Sequence, residues 1–372
     1  MLLQENQFTE KYLKLYIATL GVLVVFGVIM VYSSSYIYAK EVFHSSSYYL
    51  IKQVGFLLAG CLIAFVVGKT KISFWLKYSF HFHCICCALL LLTLFPTIGL
   101  TIKGASRWVN LGVINFQPSE VVKYSLMLVS VYFFEKYDYF KMNEIIKYIV
   151  AIIFPLVVLI MQPDYGSFLI CLVVIIFACF MSSFKRKIFY SILGSGIFLI
   201  LITLFTQPYR VKRILAFMDP WKNARTSGFQ IIQSYLAFAN GSFWGQGLGN
   251  SNEKLFYLPE AHNDFIFSVL AEELGFIGVF VTVILFILLL YWGFNLVLSL
   301  SQKTFQILVS SVVFLIGFQA LINMGVVLGM LPTKGLNLPF ISYGGSSIVA
   351  NFFGLGLMIA AANYSKKLHQ QQ

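Results

Sequence analysis

The sequence predicts an all-α polytopic membrane protein with about ten transmembrane helices, and two observations carry this prediction. Of the 372 residues, 59% are hydrophobic and 11% are charged, whereas soluble domains carry roughly 25% charged residues. The apolar residues also form long runs, such as LYIATLGVLVVFGVIMVY at 15–32, close to the roughly 20 residues that cross a bilayer as a helix. The composition therefore argues against a soluble fold.

Apolar runs of this kind are the predicted spans. They are 13–34, 50–68, 78–98, 119–135, 146–162, 166–183, 188–206, 264–294, 305–330 and 346–364. No small-residue cleavage site follows the first run, so we expect a retained span rather than a signal peptide. No repeat or linker divides the chain, and we expect residues 1–372 to form a single transmembrane domain.

Lysine and arginine predict the orientation, because one side of the membrane receives most of the basic short loops. These carry Lys69, Lys71, Lys77, Lys136, Lys141, Lys147, Lys185, Arg186, Lys187, Lys303, Lys366 and Lys367. The positive-inside rule puts this side, with both termini, in the cytoplasm. Segments 99–118, 207–263 and 331–345 are then extracytoplasmic, with 207–263 the large loop between helices 7 and 8. The same rule accounts for the net charge of +12, so no nucleic-acid partner is predicted.

The large loop contains cations that this rule constrains only weakly, because the rule counts short loops. They are Arg210, Lys212, Arg213, Lys222 and Arg225. Two interpretations stay open for them. They contact phosphates of the membrane lipids, or they contact an anionic substrate.

Cysteine and histidine give no clear sign of a metal site. All six cysteines lie within apolar runs, outside the exposed loops where structural disulfides form. His81, His83 and Cys84 lack a recognised zinc spacing, since neighbours on one helix do not converge. We favour interfacial histidines and buried thiols.

The segment 254–278, KLFYLPEAHNDFIFSVLAEELGFIG, joins the large loop to the eighth span. Pro259 suits a first helical turn, and residues four apart share a helix face. Glu260 and Asp264 are therefore expected to face one cavity, while His262 points elsewhere. Asp264 is the candidate general base; the alternative is an acid that only complements the helix dipole.

Glu272 and Glu273 lie deeper along the same predicted helix. An unpaired charge at such a position is costly, so both need cationic or hydrogen-bonding partners. We predict that they serve the packing of the bundle.

The segment 103–123, KGASRWVNLGVINFQPSEVVK, supplies candidates for binding an anionic substrate. The guanidinium of Arg107 is suited to grip a diphosphate by paired hydrogen bonds. The alternative is a snorkelling arginine beside Trp108. Glu120 and Lys123 can pair at i, i+3 at the start of the fourth span, and both are counted with the substrate-binding candidates.

The loop 331–347, LPTKGLNLPFISYGGSS, contains two prolines and three glycines and cannot continue a helix. Irregular backbone near a membrane is tolerated where it lines a polar cavity, so this loop is predicted to wall one. Lys334 and Ser342 are its substrate-binding candidates. In QPDYGS, at 162–167, Asp164 is predicted to form a simple turn.

Together these motifs resemble the SEDS family, the shape, elongation, division and sporulation proteins of bacteria. The resemblance runs in order from about residue 100 to 360. It is carried by GASRWVNLG, FQPSEVVK, QPDYGS, GFQIIQS, LFYLPEAHNDFIF, AEELGFIG and PTKGLNLPFISYGGSS. The segments around Asp264 and Lys334 are closer to the division member than to the elongation member. Asn263, where threonine is common, and 238–246, often richer in glycine, depart from the family pattern.

The resemblance implies a glycosyltransferase that polymerises lipid II into peptidoglycan strands at the division septum, in the bacterial cytoplasmic (inner) membrane. It implies a class B penicillin-binding protein as transpeptidase partner, together with divisome proteins. Asp264 matches the catalytic aspartate of the family, which takes the proton of the attacking sugar hydroxyl. Arg107, Lys123 and Lys334 would face the diphosphate leaving group. A divalent cation, magnesium or manganese, is the cofactor to expect with a diphosphate, and its ligands stay unassigned.

Three other functions stay open at this point. They are a lipid II flippase or related transporter, a scaffold that recruits a partner polymerase, and the elongation-type polymerase of the same family. A transporter has its site near the midplane of the membrane, whereas Arg107, Glu120, Asp264 and Lys334 map to the outer edge. This distribution favours chemistry on a lipid head group.

Overall fold

The computed structural model describes residues 2–102, 105–110, 112, 115–226, 228–254 and 261–371, and it is a bundle of helices with one small sheet. The α-helices within these ranges are α1 (Leu2–Phe43), α2 (Tyr48–Lys69), α3 (Ile72–Lys77), α4 (Ser79–Leu92), α5 (Pro118–Lys136), α6 (Met142–Met161), α7 (Tyr165–Met181), α8 (Arg186–Phe205), α9 (Pro208–Met218), α10 (Phe229–Gly241), α11 (Ile266–Leu298), α12 (Lys303–Val327) and α13 (Gly345–Gln371). Short 3-10 helices cover Tyr137–Tyr139 and Trp221–Asn223.

The membrane class predicted from the sequence is confirmed by these helices. Among the described residues, seven stretches are long and apolar enough to cross a bilayer: Gln7–Phe43, Tyr48–Lys69, Met142–Met161, Arg186–Phe205, Ile266–Leu298, Lys303–Val327 and Gly345–Lys366. The apolar helices α4 and α7 are shorter, and α5 carries charged residues at both ends. The number of ten spans stays a prediction.

Two predicted boundaries were wrong. The third predicted span, 78–98, ends as helix at Leu92, because the chain then turns into the sheet. The helix predicted to begin near Pro259 begins at Ile266, after turns over 261–265. Asp264 therefore lies in a turn before α11 and not in the opening turns of the helix.

A small antiparallel sheet occupies the predicted loop 99–118, so the all-α prediction was wrong for this segment. Its strands are β1 (Gly99–Ile102), β2 (Ala105–Asn110) and β3 (Asn115–Phe116), in the order β1-β2-β3. Gly99 is opposite Val109, and the register shifts between Leu100 and Thr101. On β2 the buried residues are Ala105 and Val109, which share one face because side chains alternate along a strand.

The centre of the bundle is formed by α5, α7, α12 and α13. These helices pack against one another, and nearly every side chain of α5 from Val122 to Val131 is buried. The most exposed of the apolar candidate spans is α8, with 11% of its apolar stretch buried, and it packs mainly on α7 and α9. Its exposed apolar residues are the surface that faces lipid in a membrane.

The helix α11, which corresponds to the eighth predicted span, is interrupted at Gly275, where φ is +64°. The carbonyls of Glu272 and Glu273 accept hydrogen bonds from the amides of Gln246 (2.9 Å) and Gly247 (2.9 Å), while the Phe276 amide donates to Ser242 (2.9 Å). A break inside an apolar helix is tolerated when the freed backbone groups find partners. Segment 242–247 is therefore part of the structure of α11.

At Gly27, the backbone of α1 lies directly against the backbone of the loop between α12 and α13. A side chain at Gly27 would meet the carbonyl oxygen of Phe340 and the Cα of Ile341, whereas Gly21 of the same helix has open space around it. The Gly27→Ala variant is expected to lose about 1–3 kcal/mol of stability, the usual cost of overpacking.

The measurement is a thermal melt of the detergent-solubilised protein. Gly27→Ala should melt several degrees below wild type, and Gly21→Ala should melt at or above it because alanine favours helix. Equal melting temperatures for the two variants would contradict the close approach.

Candidate active site

The segments predicted as the outer loops gather around one cavity of about 1740 Å³ at one end of the bundle. Its lining includes six cations: Lys52, Arg107, Arg210, Arg213, Lys254 and Lys334. Among the lining residues that the structure describes, Asp264 is the only acid. The described lining therefore carries more cationic than anionic side chains, although Lys254 and Arg107 lie beside the acids Glu273 and Asp164.

The backbone on both sides of Asp264 is fixed by hydrogen bonds. The buried amide Nδ2 of Asn323, on α12, donates to the carbonyl of Asp264 (2.8 Å) and to the carbonyl of Leu336 (2.6 Å). Two residues before Asp264, the carbonyl of His262 accepts from the Tyr343 amide (2.9 Å). The turn 261–265 is thus joined at two points to the loop 328–344.

The carboxylate of Asp264 lies against the backbone of Gly335. A Cβ built on Gly335 would be 3.2 Å from Oδ2 of Asp264, and φ of Gly335 is +66°, a conformation that favours glycine. Lys334 precedes this glycine, so the loop turn that touches the carboxylate also carries a candidate cation.

Lys334 is half-buried in the cavity wall. Its Nζ is 5.5 Å from the ring centroid of Tyr165, and its carbonyl contacts Gly166 at the start of α7. Burial lowers the pKa of the Lys334 ammonium to about 8, because desolvation disfavours the charged form.

The basic helix α9 contributes two further cations to the cavity. The guanidinium of Arg210 is 4.7 Å from the Tyr165 ring centroid and donates to the Thr203 carbonyl. Arg213 donates to the Thr333 carbonyl (3.0 Å). Of the loop cations whose role the sequence left open, these two face the cavity.

Arg107 reaches the cavity from β2. Its Nη2 donates to the Pro163 carbonyl (2.5 Å), and its Nε is 3.9 Å from Oδ1 of Asp164. Asp164 caps α7 by accepting from the Ser167 amide (3.3 Å), which confirms the predicted turn. Asp164 also has a second role that its turn motif did not predict, the ion pair with Arg107.

Three predicted substrate-binding residues do not lie in the cavity wall. Lys123 and Glu120 form a buried ion pair (2.8 Å) in the first turns of α5, so the predicted pairing is right but the pair faces the bundle. Ser342 is buried, and its Oγ accepts from the Leu338 amide (2.8 Å) while its carbonyl accepts from Gln53 (3.3 Å). Glu260 lies outside the described residues.

The two acids of α11 have the partners that the sequence required. Glu273 pairs with Lys254 (2.6 Å) and accepts from Ser33 (2.5 Å). Glu272 accepts from the Ser251 hydroxyl and the Asn252 amide (3.1 Å). Both carboxylates therefore hold segment 251–254 against α11.

No protein cage for a metal was found in the part of the chain that the structure describes, where no three His, Cys, Asp or Glu side chains cluster. His83 is buried, with its ring nitrogens bonded to Ser125 (2.9 Å) and the Ala151 carbonyl (3.0 Å). All six cysteines are free thiols. The predicted buried thiols are found for Cys86, Cys87, Cys171 and Cys179, whereas Cys61 and Cys84 are exposed. The prediction of an interfacial histidine was wrong for His83, which is buried.

Fold and cavity define the class of protein: a multi-pass membrane protein with a cationic pocket around one carboxylate at one end of its helices. A sequence model for FtsW, RodA and SpoVE, described as cell cycle protein, matches residues 13–367. The chain belongs to this family, as the resemblance of its motifs indicated.

Similar proteins agree in sequence and in fold. The "Probable peptidoglycan glycosyltransferase FtsW" of Geobacter sp. (strain M18) is 41% identical over 344 residues, covering 91% of this chain and 93% of the relative. A solved structure described as "Structural coordination of polymerization and crosslinking by a peptidoglycan synthase complex" has a TM-score of 0.75 at 26% identity, covering 94% of this chain and 97% of the other. The rod shape determining protein RodA of Thermus thermophilus has a TM-score of 0.68 at 25% identity, covering 94% and 95%.

The Lys254–Glu273 ion pair is expected to fix the segment that leads toward Asp264. Glu273→Gln leaves the Lys254 ammonium buried without its counter-charge, and should cost about 3–5 kcal/mol of stability. Adding Lys254→Met should restore most of the loss, because no unpaired charge then stays buried.

The exposed pair Lys222–Asp219 (3.1 Å) is the matched control in the same part of the chain. Asp219→Asn should leave the melting temperature in detergent unchanged, since exposed pairs contribute little. If Glu273→Gln also melts like wild type, the buried pair does not hold this segment.

Proposed function

We propose that this protein polymerises lipid II into the glycan strands of peptidoglycan, in the bacterial cytoplasmic membrane at the division septum. The observation that carries the proposal is one carboxylate, Asp264, set in a cavity lined by six cations. The predicted enzyme class, peptidoglycan glycosyltransferase, is confirmed by a relative of that name at 41% identity over 91% of the chain.

In the proposed reaction, the 4-hydroxyl oxygen of the incoming lipid II sugar bonds to the anomeric carbon of the growing glycan. The bond from that carbon to undecaprenyl diphosphate breaks, and the diphosphate leaves with the electron pair. Asp264 takes the hydroxyl proton, a general-base contribution typically worth ~10²–10⁴ in rate.

The leaving diphosphate gains negative charge, so it needs fixed positive groups. We name Arg107, Arg210, Arg213 and Lys334 the cationic wall, because all four line the cavity. Arginine presents a planar fork that binds phosphate oxygens in pairs. Three arginines and one lysine are therefore suited to hold a diphosphate.

A divalent cation, magnesium or manganese, belongs to this proposal as a companion of the diphosphate. Magnesium in proteins often takes one or two carboxylates and completes its shell with phosphate oxygens and water. Asp264, the one acid among the described lining residues, is assigned as the base, so an ion in the cavity would take its shell from diphosphate oxygens and water. The ion would supply further positive charge at the diphosphate.

The proposed topology has ten spans, both termini in the cytoplasm and the cavity at the extracytoplasmic surface. The lysine-rich short loops of the sequence support this orientation. The pairing of Glu273 with Lys254 weakens the transporter alternative, because these deep acids serve as anchors of segment 251–254. A midplane transport site would need them for its cargo.

The proposed partner is a class B penicillin-binding protein that cross-links the strands, together with divisome proteins. Support comes from the solved structure of similar fold, which is described as a peptidoglycan synthase complex that coordinates polymerization and crosslinking. Membrane lipids surround the helices, and no nucleic acid is involved.

The first test is polymerisation of purified lipid II by the detergent-solubilised protein with its class B partner. Asp264→Asn removes the charge at nearly constant shape and should lower the rate at least ~100-fold, because the base is lost. Asp219→Asn, an exposed acid that does not line the cavity, should retain the wild-type rate.

When the three proteins are equally well folded, the amounts of polymer that they make distinguish the alternative functions. Polymer from wild type and Asp219→Asn alone supports a glycosyltransferase that uses Asp264. Polymer from all three proteins would move the base elsewhere, and polymer from none would favour transport or scaffolding.

The charge of Lys334 gives a pH dependence with a defined sign. With its pKa lowered to about 8, the Lys334 ammonium loses its proton as the pH rises through this value, and the diphosphate loses a cation. We expect kcat/KM of wild type to fall above pH ~8.

In Lys334→Arg, the guanidinium stays charged, so the fall should move to higher pH. Lys212→Arg is the control, because Lys212 is an exposed cation of α9 outside the cavity lining, and it should keep the wild-type profile. An unchanged profile in Lys334→Arg would show that another group titrates.

A further inference from the structure

Among the described residues, nine aromatic side chains line the same cavity, and four of them form one cluster of rings in contact. These four are Tyr38 of α1, Tyr49 of α2, His262 of the turn before α11 and Tyr343 of the loop before α13. The ring centroid of Tyr49 is 4.4 Å from that of His262 and 4.9 Å from that of Tyr343. Tyr38 stacks on His262 at 5.8 Å. We call these four residues the aromatic wall.

The catalytic carboxylate stands where the two walls meet. On one side His262 precedes Asp264 by two residues, and its carbonyl is bonded to the Tyr343 amide (2.9 Å). On the other side the carboxylate lies against Gly335, the neighbour of Lys334. A ligand that extends from one wall to the other therefore passes Asp264.

The aromatic wall is part of a larger packed cluster, because the Tyr49 ring also contacts those of Tyr48 (5.3 Å) and Phe43 (5.8 Å). All four rings are half-buried, so each packs on its neighbours and still contributes surface to the cavity. Tyrosine combines an apolar face with a polar tip.

A sugar ring is the ligand chemistry that matches such a surface. The C–H groups of a pyranose carry partial positive charge, and the face of an aromatic ring is negative. The hydroxyls and the acetamido group at the sugar edge can bond to tyrosine hydroxyls, which donate and accept. The charged groups of the cationic wall suit phosphate oxygens, and the rings of Tyr165 and Tyr209 beside them are covered by Arg210 and Arg213.

We propose that the aromatic wall is the acceptor-saccharide subsite: the N-acetylhexosamine ring of the incoming substrate stacks on Tyr49 and its neighbours, with the attacking hydroxyl directed at Asp264. The diphosphate of the growing strand occupies the cationic wall. This assignment rests on the proposed function and gives the cavity a direction, because acceptor and leaving group lie on opposite sides of one carboxylate.

The experiment is steady-state polymerisation of purified lipid II with its class B partner, comparing wild type, Tyr49→Leu and Tyr49→Phe. Tyr49→Leu keeps apolar area but removes the ring, and should raise KM for lipid II about 2- to 10-fold with kcat nearly unchanged. Tyr49→Phe keeps the ring and should stay close to wild type. Tyr32→Leu, an exposed tyrosine of α1 outside the cavity lining, is the matched control.

A soluble probe gives a second measurement. Chitotetraose, a chain of four β-1,4-linked N-acetylglucosamine units, should compete with lipid II in wild type and in Tyr32→Leu, and should compete less in Tyr49→Leu. Melting temperatures of all variants in detergent distinguish lost binding from lost folding, and normal kinetics in Tyr49→Phe would exclude a general defect at this position.

The subsite assignment is overturned if a folded Tyr49→Leu retains the wild-type KM and the wild-type inhibition by chitotetraose. It is also overturned if kcat alone falls. Failure of the proposed function looks different, because wild type would then make no polymer or Asp264→Asn would make as much as wild type.

Discussion

One buried side-chain amide joins the two chain segments that surround Asp264. Asn323, near the C-terminal end of α12, donates to the carbonyls of Asp264 and Leu336, so a single side chain joins the turn before α11 to the loop that carries Lys334. Away from water, backbone carbonyls without donors are costly, which makes such a shared donor worth more than on a soluble surface. The position of the carboxylate against Gly335 follows from this clamp.

The net charge of the cavity depends on which of its lining cations form ion pairs with acids outside the lining. Lys254 belongs to the lining but is paired with Glu273, and Arg107 is close to Asp164. Arg210 is bonded to a backbone carbonyl and lies over an aromatic ring, which fixes its position without cancelling its charge. The cavity thus retains cations that are held in place, as binding a diphosphate requires.

The sequence predicts those features of the fold and the site whose residues lie close together along the chain. Hydrophobic runs are local, so they predicted the membrane class and the seven long apolar helices that the described residues contain. Asp264 and Lys334 became site candidates because their motifs are contiguous, and the structure places both in the cavity lining. The spacing of Glu120 and Lys123 predicted their pairing but not which way the pair faces. The aromatic wall could not be predicted, because its residues come from four separate elements of the chain.

The exposure of α8 bears on how one cation of the cavity is held. Only 11% of the apolar stretch of this helix is buried inside the protein, and the carbonyl of its Thr203 accepts a hydrogen bond from the guanidinium of Arg210. Membrane helices adjust their tilt to the thickness of the hydrocarbon layer. One anchor of a cavity cation is therefore carried by the helix whose surroundings lie mostly outside the protein.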